Sequence, residues 1–351
     1  MSGVHQFVPM LHRSDAVGRH TLRLRDVMVE RGTPSQIYVE MNDPETAAET
    51  RPFARYADEA EVGDVLLYQF ATTSAIAPWL RARPETLVVN YHNVTPPEFY
   101  APWNNGMARH QLLAQAQLRE LAPRAALGVA VSAFNEAELR LAGFAHTAVV
   151  PPAAIVTAAP GARVAGTTRP GARWVSVGRL APNKAIEFAV MALLVTRARQ
   201  DPHATLDVVG RPVVPSYTAA LRRFVAELGL EDAVRFAGSV GDDALVETMA
   251  GSDVLVVTSG HEGFGVPVLE AMTLGLPVVA NDAGALPEVV GDAGVLVDAR
   301  DPYAVAGAVA RVLRDAALRA NLSEAAGRRI AALDLPGAAG RAVDLVTSLV
   351  A

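Results

Sequence analysis

Short apolar runs alternate with amphipathic stretches along almost the whole chain, and this alternation restricts the fold more than any other feature. Runs such as 65–69 and 87–91 have the length and composition of buried strands. Stretches such as 18–31 and 186–199 repeat apolar residues at helical spacing. Parallel sheets that are covered by helices give this pattern. The sequence therefore predicts an α/β protein.

The strand–helix series occurs twice, which predicts two Rossmann-like domains that face each other across a cleft. The first domain is expected at 1–160, together with a helical stretch at 337–351, and the second at 161–336. The stretch 153–173 between them is rich in Ala, Gly, Pro and Thr and is interpreted as a linker. The predicted strands are 4–8, 36–39, 65–69, 87–91, 127–131 and 148–150, then 174–177, 205–209, 234–236, 254–258, 277–280 and 294–297.

Composition excludes several classes of protein. The 351 residues are 51% hydrophobic with a net charge of −6, whereas nucleic-acid-binding domains usually carry a basic excess. There is no cysteine, so disulfides and thiolate metal sites are excluded. We find neither a signal peptide nor an apolar run long enough to span a bilayer. We therefore expect a cytoplasmic protein with at most a peripheral membrane contact.

The first loop that is a candidate ligand site is Val-Gly-Arg-Leu-Ala-Pro-Asn-Lys, which lies between a predicted strand and a predicted helix. It carries Gly178, Arg179 and Lys184, and Lys184 is the single lysine of the chain. Backbone N–H groups at a helix N-terminus and two fixed cations suit a diphosphate. Two solvated surface cations would be the ordinary interpretation, but a sole lysine at this place favours the anion site.

The second loop is His-Glu-Gly-Phe-Gly-Val-Pro-Val-Leu-Glu, which follows the predicted strand 254–258. Glu262 lies in the loop and Glu270 in the opening turns of the next helix, since Pro267 suits a first turn. The glycines let the backbone approach a ligand closely. Carboxylates accept hydrogen bonds from the vicinal hydroxyls of a ribose or hexose. We expect both glutamates to face one cleft.

Two further loops follow strands of the second half. Gly284, within the tract 281–297, opens a helix after a strand and is expected to contribute N–H groups to the same cleft, or to be part of an ordinary strand–helix turn. The segment Phe-Ala-Gly-Ser-Val that ends at Val240 is expected to wall a base-binding slot through backbone contacts.

Together, in this order, these motifs resemble the family-4 (group-1) retaining glycosyltransferases of GT-B fold. The resemblance is strong over 175–297 and looser in the first half. It implies a nucleotide diphosphate sugar as donor, a hydroxyl-bearing acceptor, retention of anomeric configuration, and neither a metal nor another cofactor.

The resemblance also implies residue roles. Arg179 and Lys184 would bind the diphosphate, and Glu270 would hold the ribose hydroxyls. Glu262, with the backbone of Phe264 and Gly265, would address the transferred sugar. The remaining donor-binding positions of these loops are Gly178, Val240, Gly263 and Val266.

In the first half the resemblance is carried by two short segments. Val-Val-Asn-Tyr-His-Asn resembles the family's strand that ends in a histidine, so His92 would contact the donor sugar near the reaction centre. Asp15-Ala-Val-Gly18 resembles the loop that packs against the diphosphate, although the commoner Gly-Gly pair is absent. Gly18 is therefore a further candidate for donor binding.

The expected chemistry needs no metal ion. We find no Asp-x-Asp motif at a strand end, so Arg179 and Lys184 would neutralise the leaving diphosphate. No nucleophile is paired with a base, and the resemblance implies a front-face mechanism in which the leaving phosphate helps to deprotonate the acceptor.

Other functions remain open within the same architecture. They are a sugar-nucleotide 2-epimerase, a sugar phosphorylase with Lys184 holding pyridoxal phosphate, and a non-catalytic nucleotide-sugar binding partner. A nicotinamide oxidoreductase is poorly supported, because neither half carries Gly-x-Gly-x-x-Gly after its first strand.

Overall fold

The chain forms two compact units, and a computed structural model describes residues 2–13, 15–153 and 170–350 of them. The first unit comprises the residues up to Pro97, the residues from Gly106 to the undescribed stretch 154–169, and the residues from Leu333 onward. The second takes Glu98–Asn105 and the residues between that stretch and Ala332. Most of the expected linker, 154–169, lies outside the described residues.

The first unit is built on a parallel sheet of seven strands in the order β3-β2-β1-β4-β5-β6-β7. Its strands are β1 Val4–Met10, β2 Ile37–Met41, β3 Thr50–Pro52, β4 Val65–Phe70, β5 Thr86–Tyr91, β6 Leu127–Ala130 and β7 Thr147–Val149. All six expected strands are present. The expected count was wrong by one, because β3 is a polar Thr-Arg-Pro edge strand with no apolar run to announce it.

Helices pack on both faces of this sheet. In the first half of the chain they are α1 Ala16–Glu30, α2 Tyr56–Glu59, α3 Ile76–Arg81, α5 Asn105–Leu121 and α6 Ala133–Ala142, whereas the short α4, Pro97–Tyr100, falls almost wholly in the second unit. The side chains of β4 alternate between two buried clusters, with Leu66 and Tyr68 in one and Val65 and Leu67 in the other. The C-terminal helix, Leu335–Thr347, packs with α1 in the second cluster through small residues such as Ala338 and Ala342.

The second unit has a parallel sheet of six strands in the order β10-β9-β8-β11-β12-β13. They are β8 Arg173–Val177, β9 Thr205–Val209, β10 Val234–Gly238, β11 Val254–Val257, β12 Val278–Asn281 and β13 Val295–Val297. The helices are α7 Ile186–Arg199, α8 Pro215–Glu227, α9 Asp242–Ala250, α10 Val266–Thr273, α11 Leu286–Val290, α12 Pro302–Arg314 and α13 Ala316–Leu333.

Both units are therefore doubly wound α/β sheets, as the sequence predicted. In such sheets the loops after the carboxyl ends of the strands bind ligands. The loops that carry the candidate residues follow β1, β5, β8, β10, β11 and β12, and each lies after the carboxyl end of its strand. Across the described ranges, every helix is too short or too polar to cross a bilayer.

Candidate functional site

The loop after β8 brings Lys184 over Gly178. Gly178 has φ +150°, and a Cβ built there would lie 3.3 Å from Cε of Lys184, so the lysine side chain passes close above the loop. A short 3₁₀ turn, Pro182–Lys184, and the left-handed Ala185 (φ 47°) lead into α7. The amide of Ile186, at the start of α7, donates to the Tyr217 hydroxyl at 3.1 Å. The lysine is thus held directly before a helix N-terminus.

Lys184 forms an ion pair with Glu262, so two of the predicted loops meet. Nζ of Lys184 donates to Oε1 of Glu262, and the Ser259 hydroxyl donates to the same oxygen at 2.8 Å. The two charged side chains are only 16% and 13% exposed. Burial alone would raise the pKa of Glu262, but Lys184, Ser259 and then Arg179 outweigh it and hold this pKa below its usual range. Glu262 is therefore a carboxylate at neutral pH.

Asn183 joins the same two loops through the backbone, and sequence reasoning did not single it out. Its Nδ2 donates to the carbonyl of His261 at 3.1 Å, and its own carbonyl accepts from the amide of Gly260 at 2.8 Å. The Thr258 hydroxyl also donates to the carbonyl of Lys184 at 3.2 Å. Asn183 is 4% exposed, so these bonds are shielded from water. These hydrogen bonds hold the backbone at Lys184 in a fixed position relative to the loop after β11.

Glu270 lies in α10, which begins directly after the Gly-Phe-Gly turn. Gly265 has φ +98° and is the N-cap of α10, and Val266 and Pro267 form its first turn. Glu270 is only 7% exposed, which is rare for a carboxylate. Phe264, also 7% exposed, anchors the turn, and Gly263 precedes it. The expectation that Glu262 stands in the loop and Glu270 inside the helix is met.

The loop after β12, which carries Gly284, packs against the backbone of Glu262. Gly284 has φ +59°, and a Cβ on it would lie 2.6 Å from the carbonyl oxygen of Glu262. The amide of Ala285 donates to that carbonyl at 2.9 Å. We expected the Gly284 turn to offer N–H groups to a ligand, but the N–H of Ala285 donates to the protein backbone. The tract 281–297 therefore positions Glu262.

Val240 is half-buried in the bend between β10 and α9. The amide of Gly210, after β9, donates to the carbonyl of Gly238 at 2.8 Å and ties the ends of these two neighbouring strands together. A slot for a nucleobase beside Val240 stays a prediction.

A cavity of 860 Å³ opens at the ends of β11, β12 and β13, and it was not foreseen from the sequence. The ring of Trp103 packs edge-to-face against Tyr217 with centroids 5.2 Å apart, and the Ser216 hydroxyl donates to the carbonyl of Trp103 at 2.8 Å. Besides Arg300 and apolar residues, the lining includes acidic and aromatic side chains: Glu98, Phe99, Trp103, Glu187, Phe188, Asp282 and Asp298. Pro182, Ala185 and Gly260 also line the cavity, so it adjoins the two loops that carry Lys184 and Glu262.

His92 lies in the first unit, where β5 ends. Its amide donates to the carbonyl of Phe70 at 2.9 Å, and its Nε2 is 2.6 Å from Oε1 of Gln69. Burial and the neighbouring His20 keep the pKa of His92 well below its usual value. The next residue, Asn93, adopts φ 85° and donates to Asn135 at 3.0 Å, which turns the chain sharply after the histidine. His92 is thus a neutral, rigidly held imidazole.

Gly18 is required by packing in the first turn of α1. A Cβ there would lie 1.7 Å from the carbonyl oxygen of His12. Its amide donates at 2.7 Å to the carboxylate of Asp15, the N-cap of α1. The contact between Gly18 and a diphosphate stays a prediction.

Within residues 2–13, 15–153 and 170–350, no three His, Asp or Glu side chains are grouped so that they would hold a metal ion.

Comparison with known proteins finds relatives of the second unit. Residues 170–329 match the family described as glycosyl transferases group 1. Most of the second unit is therefore similar to the group 1 glycosyl transferases. The D-inositol 3-phosphate glycosyltransferase of Streptomyces coelicolor is 35% identical over 184 residues, which are 49% of this chain and 39% of that protein. The GDP-mannose:cellobiosyl-diphosphopolyprenol alpha-mannosyltransferase of Xanthomonas oryzae is 34% identical over 108 residues, or 31% of this chain and 28% of that protein. The matched segments thus span about a third of these curated relatives.

Solved structures extend the likeness to both units. Anabaena Alr3699/HepE, in complex with UDP and glucose, superposes with a TM-score of 0.77 at 18% identity, covering 98% of this chain and 99% of that one. Sucrose-phosphate synthase from Thermosynechococcus elongatus superposes with a TM-score of 0.78 at 20% identity, covering 99% of both. The fold of the chain is therefore GT-B, as the sequence predicted.

Proposed function

We propose that this protein transfers a sugar from a nucleotide diphosphate donor to a hydroxyl of an acceptor, with retention of anomeric configuration and without a metal ion. The observation that carries the proposal is the Lys184–Glu262 pair. It joins two motifs of the region similar to the group 1 glycosyl transferases into one charged cluster directly before the N-terminus of α7. The site therefore offers both a cation and a carboxylate to a single polar ligand.

The leaving group accounts for the cations. When the bond between sugar and phosphate breaks, negative charge develops on a nucleoside diphosphate. Arg179 and Lys184 would neutralise it, and such fixed charges in a dry site contribute strongly to catalysis. Lys184, only 16% exposed, is already shielded from water. Loss of one such contact is expected to cost about 2–4 kcal/mol of transition-state stabilisation.

The carboxylates account for recognition of the hydroxyl groups. Glu270 would accept hydrogen bonds from the ribose, and Glu262, with the backbone of Phe264 and Gly265, would bind the transferred sugar. An ionised carboxylate accepts only, and therefore suits a vicinal diol. The depressed pKa of Glu262 supports this role, because the acceptor form persists through the neutral range. His92 would also contact the donor sugar.

Retention would follow from attack on the face that the phosphate leaves. Among the described candidates, no nucleophile is paired with a general base, and the neutral His92 lacks a carboxylate partner. The departing phosphate would then take the proton of the acceptor hydroxyl, while the new glycosidic bond forms on the same face.

Donor binding is tested first by thermal shift with UDP-, GDP-, ADP- and TDP-sugars in the presence of EDTA. Ligand at 100 times its dissociation constant should stabilise by about 2.7 kcal/mol. Glu270→Ala should abolish the shift, and Glu227→Ala, on an exposed face of α8, should keep it. Stabilisation by no nucleotide sugar, or only with a divalent metal, would overturn the proposal.

Transfer itself is tested with the donor selected in this way and a panel of hydroxyl acceptors, with the anomeric configuration of the product read by NMR. An inverted product would exclude the front-face step. Binding without any transfer or donor hydrolysis would favour a non-catalytic nucleotide-sugar binding partner, and isomerisation of the free donor would favour a 2-epimerase.

A further inference from the structure

A chain of buried amides runs beneath His92 in the first unit. Nε2 of Gln69 donates to Oε1 of Gln6 at 2.8 Å, and Nε2 of Gln6 donates to the backbone carbonyl of Thr21 at 2.9 Å. Both glutamines are 0% exposed. Oε1 of Gln69 then lies 2.6 Å from Nε2 of His92 and 3.0 Å from Nδ2 of Asn90. None of these side chains is charged, so hydrogen bonds alone orient them.

The carbonyl of Thr21 sets the direction of this chain. The two ends of an amide have nearly the same shape, and only the partners decide which end is nitrogen. A backbone carbonyl can only accept, so the nitrogen of Gln6 must face Thr21 and its oxygen must face Gln69. Gln69 therefore presents nitrogen to Gln6 and oxygen to His92. An oxygen at 2.6 Å requires that Nε2 of His92 carries the hydrogen.

The side chain of Asn90 supports the same orientation of Gln69. Its Nδ2 lies 3.0 Å from Oε1 of Gln69 and 2.8 Å from Nε2 of His20, and the amide of Ala153 donates to Nδ1 of His20 at 2.9 Å. Oδ1 of Asn90 has no partner among the described residues. The amide nitrogen of Asn90 therefore faces Oε1 of Gln69, which accepts from both Asn90 and His92.

The second nitrogen of His92 is left free by this arrangement. Within the described part of the chain, the hydrogen bond of the His92 ring is made through Nε2, and the ring is packed against His20 with centroids 5.1 Å apart. A neutral imidazole that carries its hydrogen on Nε2 has a lone pair on Nδ1. Such a nitrogen accepts a hydrogen bond from a hydroxyl and has no attraction for a phosphate.

We propose that Gln69, oriented by Gln6, is a positioning residue that fixes the Nε2–H tautomer of His92, so that Nδ1 accepts a hydrogen bond from a hydroxyl of the donor sugar. The inference rests on the proposed transfer reaction for the identity of the ligand. The tautomer itself depends only on the first unit. Gln6 does not touch His92, yet its amide decides which nitrogen of the imidazole is protonated.

The tautomer is read by long-range ¹H–¹⁵N NMR on the full-length protein, with the His92 signals identified by their loss in His92→Asn. The expected result is a protonated Nε2 and an unprotonated Nδ1. Gln6→Leu and Gln69→Leu should convert this pattern into a mixture of tautomers. Gln117→Leu is the matched control, since Gln117 also bonds to a buried loop, through Ser74, but has no link to His92.

Kinetics then connect the tautomer to the sugar. Gln6→Leu should lower kcat for transfer about tenfold, the effect of one lost hydrogen bond, and leave the Kd of the bare nucleoside diphosphate unchanged. Gln117→Leu should change neither. The isosteric Gln69→Met serves if Gln69→Leu unfolds.

Two results would overturn the positioning role. One is a proton on Nδ1 of His92 in the wild-type protein, and the other is a tautomer that Gln6→Leu and Gln69→Met leave unchanged. If instead the tautomer is as expected but the wild type transfers no sugar, the proposed reaction fails and with it the sugar hydroxyl as ligand. The hydrogen-bond relay through Gln6 and Gln69 would stand.

Discussion

The ammonium group of Lys184 donates to the carboxylate of Glu262, a residue 78 positions further along the chain. The pair lies in a site that is closed enough for both side chains to be mostly buried. A diphosphate that binds Lys184 must therefore compete with Glu262 for the ammonium group, or displace Glu262 from it. The hydroxyl groups of the donor sugar would donate hydrogen bonds to the carboxylate and so replace the lost contact.

Replacing Lys184 by methionine should destabilise the second unit and abolish donor binding. Glu262 would keep only Ser259 as a close donor, and removing one partner of a buried ion pair costs about 3–5 kcal/mol. The double variant Lys184→Met/Glu262→Gln should recover most of the stability in urea unfolding and none of the transfer. The exposed pair Arg223–Glu227 provides the control, since Arg223→Met should change neither. Unchanged stability in Lys184→Met would show that the pair contributes nothing to the fold.

The pH dependence of stability should carry the signature of Glu262. Its folded pKa lies below the ordinary value of 4.5, so the unfolded chain binds the proton more readily. The stabilisation is then fully present above about pH 4.5 and is lost as the pH falls through the folded pKa. Thermal unfolding of the wild type and Glu262→Gln at about pH 3 to 7 measures this. The difference between them should shrink below pH 4.5, and a difference that is constant with pH would contradict the assignment.

Gly284→Ala should reduce transfer more than backbone strain alone would. The new Cβ would lie 2.6 Å from the Glu262 carbonyl oxygen, so the backbone that carries the carboxylate must move. Gly229→Ala is the matched control, because its φ of +64° is close to the +59° of Gly284 while nothing lies within 4 Å of its Cβ. Both variants should lose about 1–2 kcal/mol from the left-handed backbone. Only Gly284→Ala should also lower kcat, and equal kinetics would remove Gly284 from the site's support.

The first unit should lose stability in mild acid because of its buried histidines. Burial lowers the pKa of His20 from 6.5 to about 4, so between these values the unfolded chain binds a proton that the folded unit refuses. Stability should thus rise with pH from about 4 to 6.5 and be constant above. Hydrogen exchange of β4 and β5 amides measures it, and His20→Asn should flatten the slope. His146→Asn, at an exposed position, should not change the slope.

Much of the fold could be predicted because its strands are apolar runs. The runs at β4, β5, β9 and β11 can be recognised from the sequence alone, since parallel strands covered on both faces are mostly apolar. Strand β3 was not predicted, because a short polar edge strand carries no such apolar run. Arg179, Lys184, Glu262 and Glu270 were also proposed as candidates from local pattern, as polar residues placed after strands and beside glycines.

The sequence by itself determined the class of fold, the two units and the candidate donor loops, because periodicity and turn residues act over a few neighbouring positions. Only the tertiary structure decided which side chains meet. The Lys184–Glu262 pair, the support of Glu262 by Gly284 and the chain from Gln6 through Gln69 to His92 all join residues on separate strands or loops. The order of strands in a sheet brings such residues together, and no local pattern records it.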